Sequence, residues 1–146
     1  MARTIAIGCD HAGYELKEKL KAHLATNGHV VLDKGTHGLE SVDYPDFAHA
    51  VAEAVAKGEA ELGLLICGSG NGVNMTANKH AGIRGALAWR ADVAALAREH
   101  NNANVLSMPA RFITPEEANA MADAFLGASF EGGRHQRRAE KIESNC

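Results

Sequence analysis

The sequence predicts an α/β fold: a single-domain, three-layer, doubly wound (Rossmann-like) sandwich with a five-stranded parallel sheet and a C-terminal helical tail. Three observations carry the prediction. Short apolar runs alternate with amphipathic stretches of helical period along the chain, the pattern of a parallel sheet covered by helices on both faces. One run, Leu62-Gly63-Leu64-Leu65-Ile66-Cys67, lacks polar alternation, as expected of a strand buried on both faces. It passes through Gly68-Ser69-Gly70-Asn71-Gly72 into Val73 to Lys79, which can begin a helix. A strand leading through a glycine turn into a helix gathers free N–H groups and the positive end of the helix dipole at one point, where an anion or a developing oxyanion is stabilised.

Taken in order, Thr4 to Cys9 reads as the first strand and ends in Gly8-Cys9-Asp10-His11-Ala12-Gly13. Leu16, Leu20 and Leu24 recur at helical spacing, with a Glu15/Lys19 pair and Gly28 at the expected C-cap, and predict the first helix. Val30 to Leu32 is the second strand, and Asp33 to Asp43 a polar loop. Pro45 suits the first turn of a second helix, whose apolar face is Phe47, Ala48, Val51, Ala52 and Val55 and which Gly58 ends. Beyond the central turn, Gly82 to Ala88 is a fourth strand, Asp92 to His100 a helix with Val93, Leu96 and Ala97 inward, and Asn104 to Met108 a fifth strand. Thr114-Pro115-Glu116-Glu117 is a capping box with proline at the first helical position. The helix it starts turns Met121, Phe125 and Leu126 inward and stops at Gly127, and Arg134 to Glu143 can form one more.

At 146 residues the chain is expected to be one domain, 1–146, around one core. A net charge of −3 speaks against nucleic acid or an anionic membrane as partner. No apolar run approaches the ~20 residues of a spanning helix, and the N-terminus enters a strand directly, so no signal peptide is expected. Cys9, Cys67 and Cys146 are an odd set without CxxC or Cys/His metal spacing, which fits a reduced, cytoplasmic setting.

Two loops at carboxyl strand ends carry reactive side chains: Asp10-His11, and Cys67 to Gly72. Cys67, beside N–H groups that favour a thiolate, is either a base or nucleophile or a small buried residue closing a strand. The Asp10-His11 pair can titrate a substrate hydroxyl or simply cap the first helix. The dinucleotide fingerprint fails because Val73 stands where its third glycine belongs, and no Gly-Lys-Ser/Thr follows either turn. His100 closes a helix, where a histidine can simply meet the last carbonyls. Arg134 and Arg138, four apart behind Gly132-Gly133, suit a phosphate or a solvated helix face. A nucleotide-binding flavodoxin-like module and a thiol redox enzyme are the competing readings, the latter lacking a CxxC partner.

The segments Gly8-Cys9-Asp10-His11-Ala12-Gly13, Asp33-Lys34-Gly35-Thr36, Asp43-Tyr44-Pro45, Cys67 to Gly72, Ala77-Asn78-Lys79, Gly82-Ile83-Arg84, Arg98 to Asn101, Asn104-Val105-Leu106 and Glu131 to His135 occur in one order over almost the whole chain. Together they resemble the type B ribose-5-phosphate isomerases, within the group that includes galactose-6-phosphate isomerase subunits. The resemblance implies an aldose–ketose isomerase of the pentose phosphate pathway, acting through a cis-enediolate without metal or cofactor. It implies that Cys67 moves the proton between C1 and C2. Some relatives place a glutamate for this task where this chain has Val73. Ser69 and the N–H groups of Gly70, Asn71 and Gly72, with Gly68, would hold the enediolate. His100 would open the sugar ring with help from Asp10. His11, Arg111, Arg134 and Arg138 would hold the phosphate, and Asn101 a sugar hydroxyl. Ribose 5-phosphate leads as substrate; allose 6-phosphate, galactose 6-phosphate or a tetrose phosphate would need only a different sugar pocket.

One geometric expectation follows. His100 and Asn101 end a helix that returns to the amino edge of the sheet, whereas Cys67 lies at the carboxyl edge, a strand length of roughly 17 to 20 Å away. If both act on one substrate, the assembly is a homodimer with shared active sites, or a dimer of dimers; the alternative is an irregular connection that folds His100 over the edge within its own chain.

Overall fold

The computed structural model describes residues 2–143. Five strands, β1 (Thr4–Cys9), β2 (Val30–Asp33), β3 (Leu62–Cys67), β4 (Gly85–Leu87) and β5 (Val105–Pro109), alternate with helices α1 (Tyr14–Thr26), α2 (Tyr44–Ala56), α3 (Asn71–Ala77), α4 (Ala91–Asn101), α5 (Pro115–Gly127) and α6 (Arg134–Lys141). The sheet is wholly parallel, in the order β2-β1-β3-β5-β4. Every residue of β3 is buried, as its unbroken apolar run requires. Successive side chains point to opposite faces. Leu62, Leu64 and Ile66 join β1, β5, α1, α4 and α5 in one core, while Leu65 and Cys67 join α2 and α3 in the other. The three layers follow from that division.

The order places the last strand inside the fourth. β5 is buried at all five positions, whereas β4 has three half-buried residues, Gly85, Ala86 and Leu87, so the apolar strand takes the interior and the short one the edge. β4 is shorter than Gly82 to Ala88 because Gly82 bends the chain at φ 82° and the Asn104 amide accepts from Arg84 N–H and donates to the Gly82 carbonyl. At the start of β4 one side chain covers the outer backbone: Asn78 accepts from Gly85 N–H at 2.8 Å and donates to Gly85 C=O at 3.0 Å.

The capping box at Thr114 and Glu117 forms with both of its reciprocal hydrogen bonds, and Met121, Phe125 and Leu126 are buried. The inward face of α4 differs from the expected one at one position. Ala97 is buried and Val93 packs partly buried against the core, as expected, but Leu96 is 44 % exposed and Ala94 is buried in its place, on the side that packs against α5. Cys146 lies outside the described residues. Among the described residues no helix is long and apolar enough to cross a membrane.

One buried charge organises the carboxyl edge. Lys17 of α1 is fully buried, and its ammonium donates to Asp33 Oδ1 and to the Thr36 carbonyl, both at 2.7 Å. This ties the loop after β2 down onto the end of β1, where Cys9 N–H meets Gly35 C=O and Thr36 N–H meets Cys9 C=O. Burial alone would raise the Asp33 pKa, but hydrogen bonds from Lys17, Lys21 and Gly35 N–H outweigh it and hold the carboxyl at about 2, below its ordinary 3.8. A carboxylate with a depressed folded pKa stabilises the fold above its unfolded pKa and loses that contribution as pH falls through the folded one. Unfolding free energy measured by urea titration is therefore expected to fall more steeply between pH 3.8 and about 2 in the parent protein than in Asp33→Asn. Equal slopes would show that Asp33 contributes nothing to acid stability.

Candidate active site

The site grows from the crossing of β1 and β3, neighbours from which the chain departs to opposite sides of the sheet, the place where doubly wound folds bind ligands. Their register pairs Cys9 with Ile66, so the next residues, Asp10 and Cys67, leave the sheet side by side, and Asp10 N–H reaches the Ile66 carbonyl. Asp10 is buried, and its Oδ1 accepts from Gly13 N–H at 3.1 Å, capping a 3-10 turn (His11–Gly13) that feeds α1. The capping geometry expected of Asp10 is therefore present. His11 Nδ1 accepts from Val42 N–H at 3.2 Å, so in the neutral ring Nε2 carries the proton and can donate.

Beyond Cys67, Gly70 takes φ 78°, a left-handed conformation open to glycine, and turns the chain into α3. Its N–H donates to Cys67 Sγ at 3.2 Å, and the thiol itself is 5 % exposed. Ser69 is exposed; its Oγ accepts from Asn71 N–H at 3.3 Å and Asn71 Nδ2 at 3.2 Å, which leaves its own O–H to donate outward. From the other side, β5 pairs Cys67 with Pro109, and Arg111 N–H closes onto Gly68 C=O at 3.0 Å. The Arg111 guanidinium lies so close over Gly68 that a Cβ there would meet its Cζ and Nη1 at 3.0 Å. Val73 is fully buried in the α2–α3 core, so no acid stands next to the turn at that position.

Thus Asp10, His11, Cys67, Gly68, Ser69, Gly70, Asn71, Gly72 and Arg111 gather at the carboxyl edge. The remaining candidates do not. Asn102 C=O accepts from Arg84, which precedes β4, and Asn104 C=O accepts from Gly63 N–H at the start of β3, so the end of α4 sits at the amino edge. His100 and Asn101 are there, with Arg134 and Arg138 exposed on α6, which packs on α4. The six residues of β3, at ~3.3 Å each, keep the two groups roughly 17 to 20 Å apart within one chain.

Two features escaped the sequence reading. The Tyr44 ring lies directly over Gly72, where a Cβ would come within 2.5 Å of it; a lone tyrosine before Pro45 gives no local signal of this. His135 stacks on His100, centroids 4.1 Å apart and planes 11° from parallel, with Glu131 beside both. Burial, with the neighbouring His100 and Arg134, holds the His135 imidazole below its ordinary pKa. Glu131 and His135 at i, i+4 are visible in sequence, but their proximity to His100 depends on the fold.

The fold and site define a doubly wound α/β protein with a thiol at its switch point, framed by a carboxylate, a hydroxyl and a guanidinium. A family model described as Ribose/Galactose Isomerase matches residues 5–142. The chain belongs to that family. It is 49 % identical over 140 residues to the ribose-5-phosphate isomerase B of Escherichia coli, covering 96 % of this chain and 94 % of that one. Among solved structures, a ribose 5-phosphate isomerase of Thermotoga maritima superposes with a TM-score of 0.95 at 50 % identity over 97 % of each chain. The ribose-5-phosphate isomerase B of Mycoplasma genitalium, solved with bound ribulose-5-phosphate, gives 0.92 at 49 % identity over 95 % of this chain and 93 % of that one. These relatives favour isomerase over the flavodoxin-like and redox readings. Of the two described thiols, Cys9 is not placed to resolve Cys67, because it faces the opposite core.

The two thiols are expected to differ in reactivity. Cys9 is fully buried, and burial pushes its pKa up to about 11, against the weaker pull of Lys17. Iodoacetamide near neutral pH, followed by peptide mass mapping, is expected to modify Cys67 while Cys9 stays free, with inactivation tracking Cys67. Modification of Cys9 at a comparable rate would refute that ordering.

Proposed function

We propose that the protein interconverts ribose 5-phosphate and ribulose 5-phosphate through a cis-enediolate, as an aldose–ketose isomerase of the pentose phosphate pathway. The observation that carries this is the position of Cys67 at the switch point, with Ser69, Asp10 and His11 around it, in a chain of the ribose/galactose isomerase family.

In this reading the Cys67 thiolate takes the proton from C2 of the open aldose, and the electron pair moves into a C1–C2 double bond, placing negative charge on O1. Ser69, whose hydroxyl proton points outward, donates to the enediolate oxygen and helps move the O2 proton to O1. Gly70 and Asn71 spend their N–H groups on Cys67 and Ser69, so the Gly72 N–H, in the first turn of α3 without an intrahelical partner, completes the cradle. Such donors are worth about 3 to 4 kcal/mol each when aimed at developing charge. The proton held by Cys67 then returns to C1, and O2 becomes the ketone. Arg111 and His11 Nε2–H hold the phosphate on this side, with Arg134 and Arg138 supplied opposite; phosphate binding orients carbons remote from it.

Ring opening falls to His100 of the partner subunit, assisted by Asp10, with Asn101 of the partner subunit on a sugar hydroxyl. What supports this is the 17 to 20 Å separation, roughly, of the two groups within one chain. Three large apolar side chains support it too: Leu39 (62 % exposed), Trp89 (53 %) and Phe112 (74 %) lie in the segments that follow β2, β4 and β5. A homodimer, or a dimer of dimers, would cover them. The whole chain serves as one isomerase domain, and its buried free thiols, Cys9 and Cys67, suit the cytoplasm.

Cys67→Ala is expected to lower kcat about a hundredfold or more while KM stays within a few-fold, because a group used in the transition state is lost. An assay of ribose 5-phosphate beside other four- to six-carbon aldose phosphates reads this directly; turnover within tenfold of the parent would overturn the base assignment. Subunit sharing has its own measurement. Inactive Cys67→Ala and inactive His100→Ala proteins, mixed under conditions of proven subunit exchange, are expected to recover activity, since each heterodimer holds one intact site. No recovery would mean that each chain completes its own site.

A further inference from the structure

We propose that His100, Glu131 and His135 form a binding site for a late first-row divalent cation of the zinc class. Their ligand atoms all lie within 4.8 Å of one another. Glu131 Oε1 is 3.7 Å from His100 Nε2 and 3.6 Å from His135 Nε2, so one carboxylate oxygen faces both imidazole nitrogens. A tetrahedral zinc ion with nitrogen and oxygen ligands at ~2.0 to 2.1 Å holds its donors about 3.3 Å apart. The carboxylate therefore needs to close by only a few tenths of an ångström, while the half-exposed His100 ring, stacked 11° from parallel on His135, has to turn out of the stack for both nitrogens to face the ion.

A second observation points to a ligand. His135 is 8 % exposed, yet its Nε2 is buried without a hydrogen-bond partner. Buried polar atoms left unsatisfied cost free energy, and a cation between the three residues gives this nitrogen a partner. The site is also held in place by main chain: Glu131 N–H donates to Glu99 C=O and His135 N–H to Gly132 C=O, both at 3.0 Å, which fixes the turn before α6 against the end of α4. Glu131 and His100 have 52 % and 38 % exposed side chains, leaving an open side for water as a fourth ligand. Two imidazoles and one carboxylate suit zinc, cobalt or nickel, whereas magnesium and calcium prefer oxygen. Arg134 and Arg138 on the same helix repel a cation and temper its affinity.

Occupancy would take the Nε2 lone pair of His100. Inhibition follows only if His100 opens the sugar ring, and so rests on the function proposed above; binding does not. The test is isothermal titration of the untagged protein with zinc chloride, alongside visible spectroscopy with cobalt chloride. Cys67→Ala serves as a control, since a thiol also binds zinc. The expected result is a cobalt spectrum typical of nitrogen and oxygen ligands that persists in Cys67→Ala. Zinc affinity should fall by ~tenfold or more in both Glu131→Gln and His135→Gln. Unchanged zinc affinity in both variants, or no cobalt spectrum from the parent protein, would overturn the site; the second readout holds even if a variant fails to fold. Zinc that binds as expected without slowing the isomerase would leave the metal site standing and overturn the ring-opening role of His100.

Discussion

A parallel sheet delivers the last residue of every strand to one edge and sends each connecting helix back to the other. That constraint governs everything reactive in this protein. Side chains that follow β1, β3 and β5 must converge, which is why Asp10, Cys67 and Arg111 can meet although they are far apart in sequence. Side chains that end α4 are carried away from them by the same rule. The split of the candidate residues into two groups is thus a property of the connectivity, and it is the reason the proposed isomerase site draws on a neighbouring subunit.

The carboxyl edge needs more than convergence, because a site at loop ends must keep its shape. Here the loops are pinned by groups taken from the interior. Lys17 reaches from α1 to hold Asp33 and the Thr36 carbonyl, and Val42 N–H fixes the His11 ring. Removing one partner of a buried ion pair costs about 3 to 5 kcal/mol, because the other charge stays behind without compensation. Asp33 retains Lys21, at 2.6 Å, as a second cation, so the cost of losing Lys17 lies toward the lower end.

Most of the fold was legible because its signals are local. The buried run of β3, the capping box of α5 and the leucine spacing of α1 each depend on residues within a turn or a strand of one another. Cys67 and its turn were legible for the same reason. One position of α4 was not: helical period alone selects Leu96 as readily as Ala94, and which of the two is buried depends on packing against α5, a helix much later in sequence. The burial of Lys17 was hidden because its partners lie across a loop, and lysine at that position reads as part of a solvated helix face. The strand order likewise reflects competition between β4 and β5 for the interior, a comparison that neither segment encodes by itself. His135 had no visible role for a similar reason, since its partner His100 is brought to it only when the tail packs against α4.

The edge of β4 has a consequence for what the sheet cannot do. An exposed edge strand offers a row of unpaired N–H and C=O groups onto which another chain can add, and proteins guard against such growth. Here the Asn78 side chain imitates one peptide of a neighbouring strand, taking the N–H and the C=O of Gly85 together. β4 is only three residues long, and this single amide takes up the first of the positions that another strand would have to recognise. Growth of the sheet is therefore hindered on that side, because an added strand would first have to displace the amide from Gly85.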